Sequence, residues 1–348
     1  MEVIDFPEIA KVATIDAPLV LHDAYLAPPG AMRALPPAWA AGLHRARTVS
    51  VYRLRDVVIA GHGLLLDRQG RIYRGTIGQT PPADLAHAAA MATGDLPSLP
   101  GSAILCKAPG MTGYADWLLE MLPKCWMTRH HPALAGLKLA DATMIVQDAT
   151  GALRQTMLDS LNMLGNPLPI VTFVPDMALR VADLIVFDGL TEPGQYLSPL
   201  SVEACTELAA DVPTGPPQLL FVSRTGADRR NFVDSKAADL VARALGWTVV
   251  YPERRNFRTQ VALFKGAIGI AGILGAGMAS TVFARPGTRV VNLVPATMAD
   301  NRTWFIAQLR GLHYEDYRCV QAAGDGDLLM SPDELDRLLR RIMGEILG

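Results

Sequence analysis

Cysteine is scarce: Cys106, Cys125, Cys205 and Cys319 are the only four in 348 residues, without C-x-x-C spacing or a histidine in metal-ligand register. That excludes a disulfide-stapled scaffold and a thiolate zinc site, and leaves free thiols in a reducing compartment as the expectation. An excess of one charge is also lacking. Thirty-two Lys and Arg stand against 34 Asp and Glu, a net charge of −2, which argues against nucleic acid as the main partner. No basic stretch with an apolar run follows Met1-Glu-Val-Ile-Asp-Phe6, so no cleaved leader is expected. The expected location is the cytoplasm, with at most peripheral association at a membrane. No internal repeat or low-complexity tract occurs. The sole D-x-D is Asp325-Gly-Asp327, which reads as a solvated turn, so neither a metal nor another cofactor is expected.

What is present points to a large core. Half of the residues are hydrophobic and 19% are charged, and the length suffices for two ordinary domains. The 19 uncharged residues from Gly266 to Ala284 have the length of a membrane span. Five glycines and a strand–turn–helix pattern mark them instead as the interior of a parallel sheet.

That segment holds the richest motif, Gly272-Ile-Leu-Gly-Ala-Gly-Met-Ala-Ser280, followed by Phe283-Ala-Arg-Pro-Gly-Thr-Arg-Val-Val-Asn292. A glycine-rich turn that opens a helix after a strand offers backbone N–H groups at the positive helix end, a seat for phosphate. Gly275, Ala276, Gly277 and Met278 are the candidate lining; the alternative is that the glycines only allow close packing. Residues 224–265 carry nine Lys and Arg against four Asp and Glu, a basic excess beside this turn. A dinucleotide fingerprint fits less well. Ser280 stands at the third glycine, and Asn292 stands where a ribose-binding carboxylate belongs.

Three blocks in order extend the pattern. They are Tyr114-Ala-Asp-Trp-Leu-Leu-Glu-Met-Leu-Pro-Lys124, Phe221-Val-Ser-Arg-Thr-Gly-Ala-Asp-Arg-Arg230, and Gln260-Val-Ala-Leu-Phe-Lys-Gly-Ala267 leading into the glycine turn. With the trailing Gly311-Leu-His-Tyr314, they resemble glycosyltransferase family 61, inverting nucleotide-sugar transferases, over roughly residues 45–320. The chain departs from that family's pattern at Asp116 and Leu274, each a family histidine, at Asn292, a family glutamate, and at Asp234-Ser235, where the family has Asn-Glu.

The resemblance implies a sugar transferred from a nucleotide-sugar donor to a glycan or lipid-linked glycan acceptor, in surface or capsular polysaccharide biosynthesis. A non-catalytic binder of the same fold is the alternative, and an NAD-dependent oxidoreductase the third reading. It also implies Arg224, Arg229, Gln260 and Asn292 as donor-site residues. Arg224 ends a strand, where an arginine fork suits a diphosphate without metal. Asp116 and Glu120, one helical turn apart, are the candidate catalytic carboxylates; capping and surface exposure explain them equally.

Strand and helix signals alternate from residue 102, break at Thr214-Gly-Pro-Pro217 and resume. The fold expected is therefore α/β with two Rossmann-like lobes of the GT-B type. The boundaries are 1–100 for a lead-in and small β-meander, 101–213 for the acceptor-side lobe, 214–330 for the donor-side lobe, and 331–348 for a C-terminal amphipathic helix. Within the first of these, 79–101 reads as a proline-rich linker. The last helix opens on Ser331-Pro-Asp-Glu334, an N-cap with a capping-box carboxylate, and is expected to brace the N-terminal lobe.

Overall fold

The computed structural model describes residues 2–17, 25–26, 47–78, 80–139, 141–165, 169–192, 196–224, 231–296, 298, 300–322 and 327–348. The chain divides into two compact units. Unit 1 comprises Met1–Pro18 and Ala46–Leu190; unit 2 comprises Leu19–Arg45 and Thr191–Gly348.

Unit 1 is built on one nine-stranded sheet. Arg47–Ala60 is a single 14-residue strand, and Asp56 takes a positive φ of 50° within it. Ion pairs to Arg68 at 2.6 Å and Arg180 at 3.3 Å hold Asp56 in place. This strand pairs antiparallel with Ala178–Asp188, which runs parallel to Ser98–Cys106. Thr143–Gln147 and Ile170–Phe173 continue the parallel half. The meander and the first alternating run are thus one sheet and not two modules. Arg47–Ala60 is buried along most of its length and needs a partner strand on each edge to satisfy its backbone. The linker reading of 79–101 is also corrected: Pro82–Met91 is a helix with proline in its first turn, and Ser98 already belongs to a strand.

The sheet curls. Gly63, in the hairpin three strands away in sheet order, lies against Lys107, so that a Cβ there would sit 3.3 Å from Lys107 Cγ. Inside the curl, Leu54, Val57, Ile59, Ala103, Leu105, Ile145, Phe173 and Leu184 form a continuous core. Outside it, Asp183 receives Arg53 Nε at 2.9 Å and Nη2 at 2.6 Å, together with the Ser102 hydroxyl. Burial alone would raise the Asp183 carboxyl, but the Arg53 fork and Ser102 outweigh it and hold the group below the usual carboxylate range. A lowered folded pKa contributes stability above the unfolded value and loses it as pH falls through the folded one. Asp183→Asn should therefore cost about 1.5–3 kcal/mol at pH 7, the range for charged hydrogen bonds. In urea melts the gap from wild type should close at strongly acid pH; a constant gap would mean lost packing.

Unit 2 is built on a seven-stranded sheet in which five parallel strands lie in the spatial order Thr248–Val250, Gln218–Val222, Ala267–Ile273, Arg289–Pro295, His313–Gln321, with Tyr25–Leu26 a sixth, parallel to the last of them. Numbered along the chain from Gln218, those five are 2-1-3-4-5. One face is closed by helices Ser235–Ala244 and Pro332–Leu347, with Ala238, Ala242, Leu335, Leu338, Leu339 and Ile342 against Phe221, Ala271, Ile273, Val291 and Leu293. Helix Phe257–Gly266 adds Phe257, Val261 and Phe264 to the core, with Phe257 edge-on to Phe283 at 5.8 Å. The unit boundary falls near 190, not 213, because helix Pro199–Leu208 packs within unit 2.

The C-terminal helix starts as the sequence indicates, with Ser331 Oγ accepting from Glu334 N at 3.2 Å. Its apolar stripe packs within unit 2, and Arg341 bridges Glu315 and Glu345 at 2.7 Å each.

Candidate active site

In a 2-1-3-4-5 sheet, ligands bind beyond the carboxyl ends of strands 1 and 3, where helices depart to opposite faces. Here those ends are Val222 and Ile273. Ser223 donates its N–H to Val250 O at 2.9 Å, which places Arg224 just past the first strand. Leu274 N donates to Leu293 O at 2.9 Å, which places Gly275 just past the third. The two meet. A Cβ built on Gly275 would collide with Arg224 Nη1 and lie 2.9 Å from its Cζ. The φ of Gly275, 171°, is open to any residue, so glycine is required for space and not for conformation. The guanidinium therefore lies on the bare backbone of the turn, a juxtaposition of two sequence-predicted residues 51 positions apart (275 − 224).

The helix after the turn, Ala276–Phe283, is a 3-10 helix whose first internal bond is Met278 N to Gly275 O at 3.0 Å. The N–H groups of Ala276 and Gly277 precede that bond, at the positive end of the helix. Met278 is different: its N–H is engaged and its side chain is fully buried beneath Gly272. Gly277 is a packing glycine as well, since a Cβ would press on Pro252 Cγ at 3.1 Å and Val222 Cγ1 at 3.3 Å.

Of the remaining donor-side candidates, Gln260 is buried on helix Phe257–Gly266, which packs on the turn's helix. Its Nε2 donates to Arg255 O at 2.9 Å, and its Oε1 finds no partner among the described residues. Asn292 is enclosed in the sheet, with Nδ2 donating to Tyr314 Oη at 3.2 Å. Leu274, at 2% exposure, fills apolar space and supplies no polar atom. Arg229 and Arg230 lie outside the described residues. So does Asp325, while Asp327 Oδ1 accepts from Asn231 N at 2.8 Å as a structural link.

The carboxylate candidates sit in unit 1. Asp116 Oδ2 accepts from Gly113 N at 3.0 Å, which caps the helical segment that begins at Tyr114. Residues Trp117–Met121 then form a π-helical turn, closed by Leu122 N on Trp117 O, before α-helix Leu122–His130. Such turns are rare and often found at functional sites. Glu120 lies in this turn and pairs with Lys124 at 2.7 Å, the two side chains 10% and 4% exposed. Trp117 is core, its Nε1 donating to Ser160 Oγ at 3.0 Å.

Asp188, which the sequence reading passes over, belongs to this group. It closes the Ala178–Asp188 strand and is exposed, with protein crowding it from one side. That crowding, and then the Glu120 charge, push its carboxyl above the usual range, with Lys124 opposing. The available signal was a carboxylate ending a buried strand just ahead of Gly189.

The four thiols are all free and buried; burial pushes Cys319 up to about 12, so it is no nucleophile at neutral pH. Among the described residues no helix is long and apolar enough to cross a membrane. Residues 114–291 match the family described as Glycosyltransferase 61, a span that takes in the π-turn, Arg224 and the glycine turn. No curated protein matches the chain.

Proposed function

From the premise that the chain belongs to glycosyltransferase family 61, we propose that it is an inverting, metal-independent enzyme of the GT-B type. Unit 2 takes the nucleotide-sugar donor, and unit 1 takes a glycan or lipid-linked glycan acceptor in surface polysaccharide synthesis. The observation that carries this reading is the Arg224 guanidinium lying on Gly275 at the strand 1/strand 3 switch point.

The transfer breaks the bond from the sugar's anomeric carbon to the diphosphate, and the leaving group keeps the electron pair. Arg224 and the N–H groups of Ala276 and Gly277 hold that growing charge in this reading. The attacking acceptor hydroxyl loses its proton to a carboxylate. Glu120 is tied to Lys124, so the accessible, pKa-raised Asp188 beside it presents the basic oxygen, and Asp116 supports the helix.

The test is binding and turnover together. Saturating nucleoside diphosphate, at 100 times its Kd, should add about 2.7 kcal/mol of stability. Arg224→Ala should weaken diphosphate binding by about 1.5–3 kcal/mol while affecting the bare nucleoside far less. Unchanged diphosphate affinity would remove Arg224 from the site. One observation favours the second reading, a non-catalytic nucleotide-sugar or glycan binder: the locked Glu120–Lys124 pair, joined to the loss of the family histidine at Leu274. Donor binding with no hydrolysis or transfer across a panel of nucleotide sugars would select it.

A further inference from the structure

The inner face of the unit 1 sheet ends in two polar residues. Side chains alternate along a strand, so Leu105 and Lys107 share a face, as do Ile145 and Gln147. Leu105 and Ile145 belong to the core inside the curl, together with Phe173, the register partner of Gln147. Cys106 pairs in register with Val146, which brings Lys107 and Gln147 side by side at the carboxyl ends of adjacent parallel strands.

Both are deeply buried, at 4% and 1% exposure, and both are poorly satisfied. Lys107 Nζ has one long hydrogen bond, 3.4 Å to Phe173 O, and among the described residues no carboxylate lies within ion-pair distance. Its stem is walled by Gly63 and its ammonium lies 5.9 Å from the Phe173 ring centroid. Gln147 Nε2 donates to Thr112 O at 3.2 Å, in the loop that leads to the Tyr114 helix, while its Oε1 is buried with no partner among the described residues. A buried cation without a counter-ion and a buried acceptor without a donor are each costly. Burial holds the Lys107 ammonium below its usual pKa, and Asp148, which attracts it from the exposed side, only partly offsets this.

We propose that Lys107 and Gln147 form an acceptor subsite for an acidic saccharide, one that carries an oxyanion beside a free hydroxyl. The oxyanion receives the Lys107 ammonium, and the hydroxyl donates to Gln147 Oε1. Carboxyl ends of parallel strands are where such ligands bind in α/β sheets. A uronic acid and a sugar phosphate share this chemistry. The inference rests on the reading that unit 1 holds the acceptor, and it narrows that acceptor to an anionic one.

Calorimetric titration of the full chain with methyl β-glucuronoside, glucose 6-phosphate and methyl β-glucoside tests it. At least one anionic sugar should bind tenfold or more tightly than the neutral one, and which of the two does so identifies the oxyanion. Lys107→Met should erase the preference, Lys107→Arg should keep part of it, and Gln147→Glu should weaken the anionic sugar. Equal binding of charged and neutral sugars by the wild type overturns the proposal, whatever the variants do, as does an unchanged preference in a folded Lys107→Met. Nucleoside diphosphate binding, read in the same samples, should not respond to Lys107→Met. If the diphosphate binds and the acid preference is absent, only this subsite fails. If the acid preference depends on Lys107 and no sugar is transferred, the subsite stands and the transferase reading fails.

Discussion

Glu120→Ala is expected to destabilise the protein by about 3–5 kcal/mol, because it strands the Lys124 ammonium in the interior. The pair itself need not be stabilising. Two desolvated charges recover little more than they lose, so Glu120→Leu with Lys124→Met should restore near wild-type stability or exceed it. Urea denaturation of Glu120→Leu, Lys124→Met and the double variant provides the cycle. A single-variant loss below about 1 kcal/mol would show that a second carboxylate, Asp188 being nearest in influence, already neutralises Lys124. The restored double variant then separates chemistry from folding: stable but inactive protein would leave a functional role for the pair.

The second large effect is at the turn. Gly275→Ala should cut nucleoside diphosphate affinity as much as Arg224→Ala does, about 1.5–3 kcal/mol, with little change in stability. The new methyl meets the far end of a flexible side chain, which swings away at small cost and takes its charge from the site. The double variant should lose no more than either single one. Gly277→Val should behave oppositely, since its side chain would press on the Pro252 ring and Val222 and so lower stability first. Full diphosphate binding by Gly275→Ala would disprove the contact between turn and arginine.

Much of this was legible in the chain. The strands around 218–222, 267–273 and 289–295 are apolar runs with glycine punctuation, and the last helix is written in Ser331 and Pro332. Pro82–Met91 was lost because Pro81-Pro82 reads equally as a linker and as a helix start. The π-turn leaves no trace in a 3.6-residue period, for Trp117–Met121 are all buried and any helical pitch suits them. The ion pair of Glu120 was readable from its i, i+4 spacing to Lys124, but not its burial. Arg224 and Gly275 were each visible as strand-end residues. Their contact was not, since it depends on the order in which the strands lie.

That order begins earlier than either motif. Tyr25–Leu26 is a strand of unit 2, paired with Tyr314 and Glu315, although unit 1 supplies the residues on both sides of it. During synthesis the pairing cannot close until the ribosome has added a further 289 residues (314 − 25). At roughly 5–20 residues per second that wait is about 15–60 s. For that interval Tyr25–Leu26 has no partner strand in unit 2. A fragment beginning at Thr191 would carry every residue proposed for the donor site and still leave an edge of its sheet open to other chains.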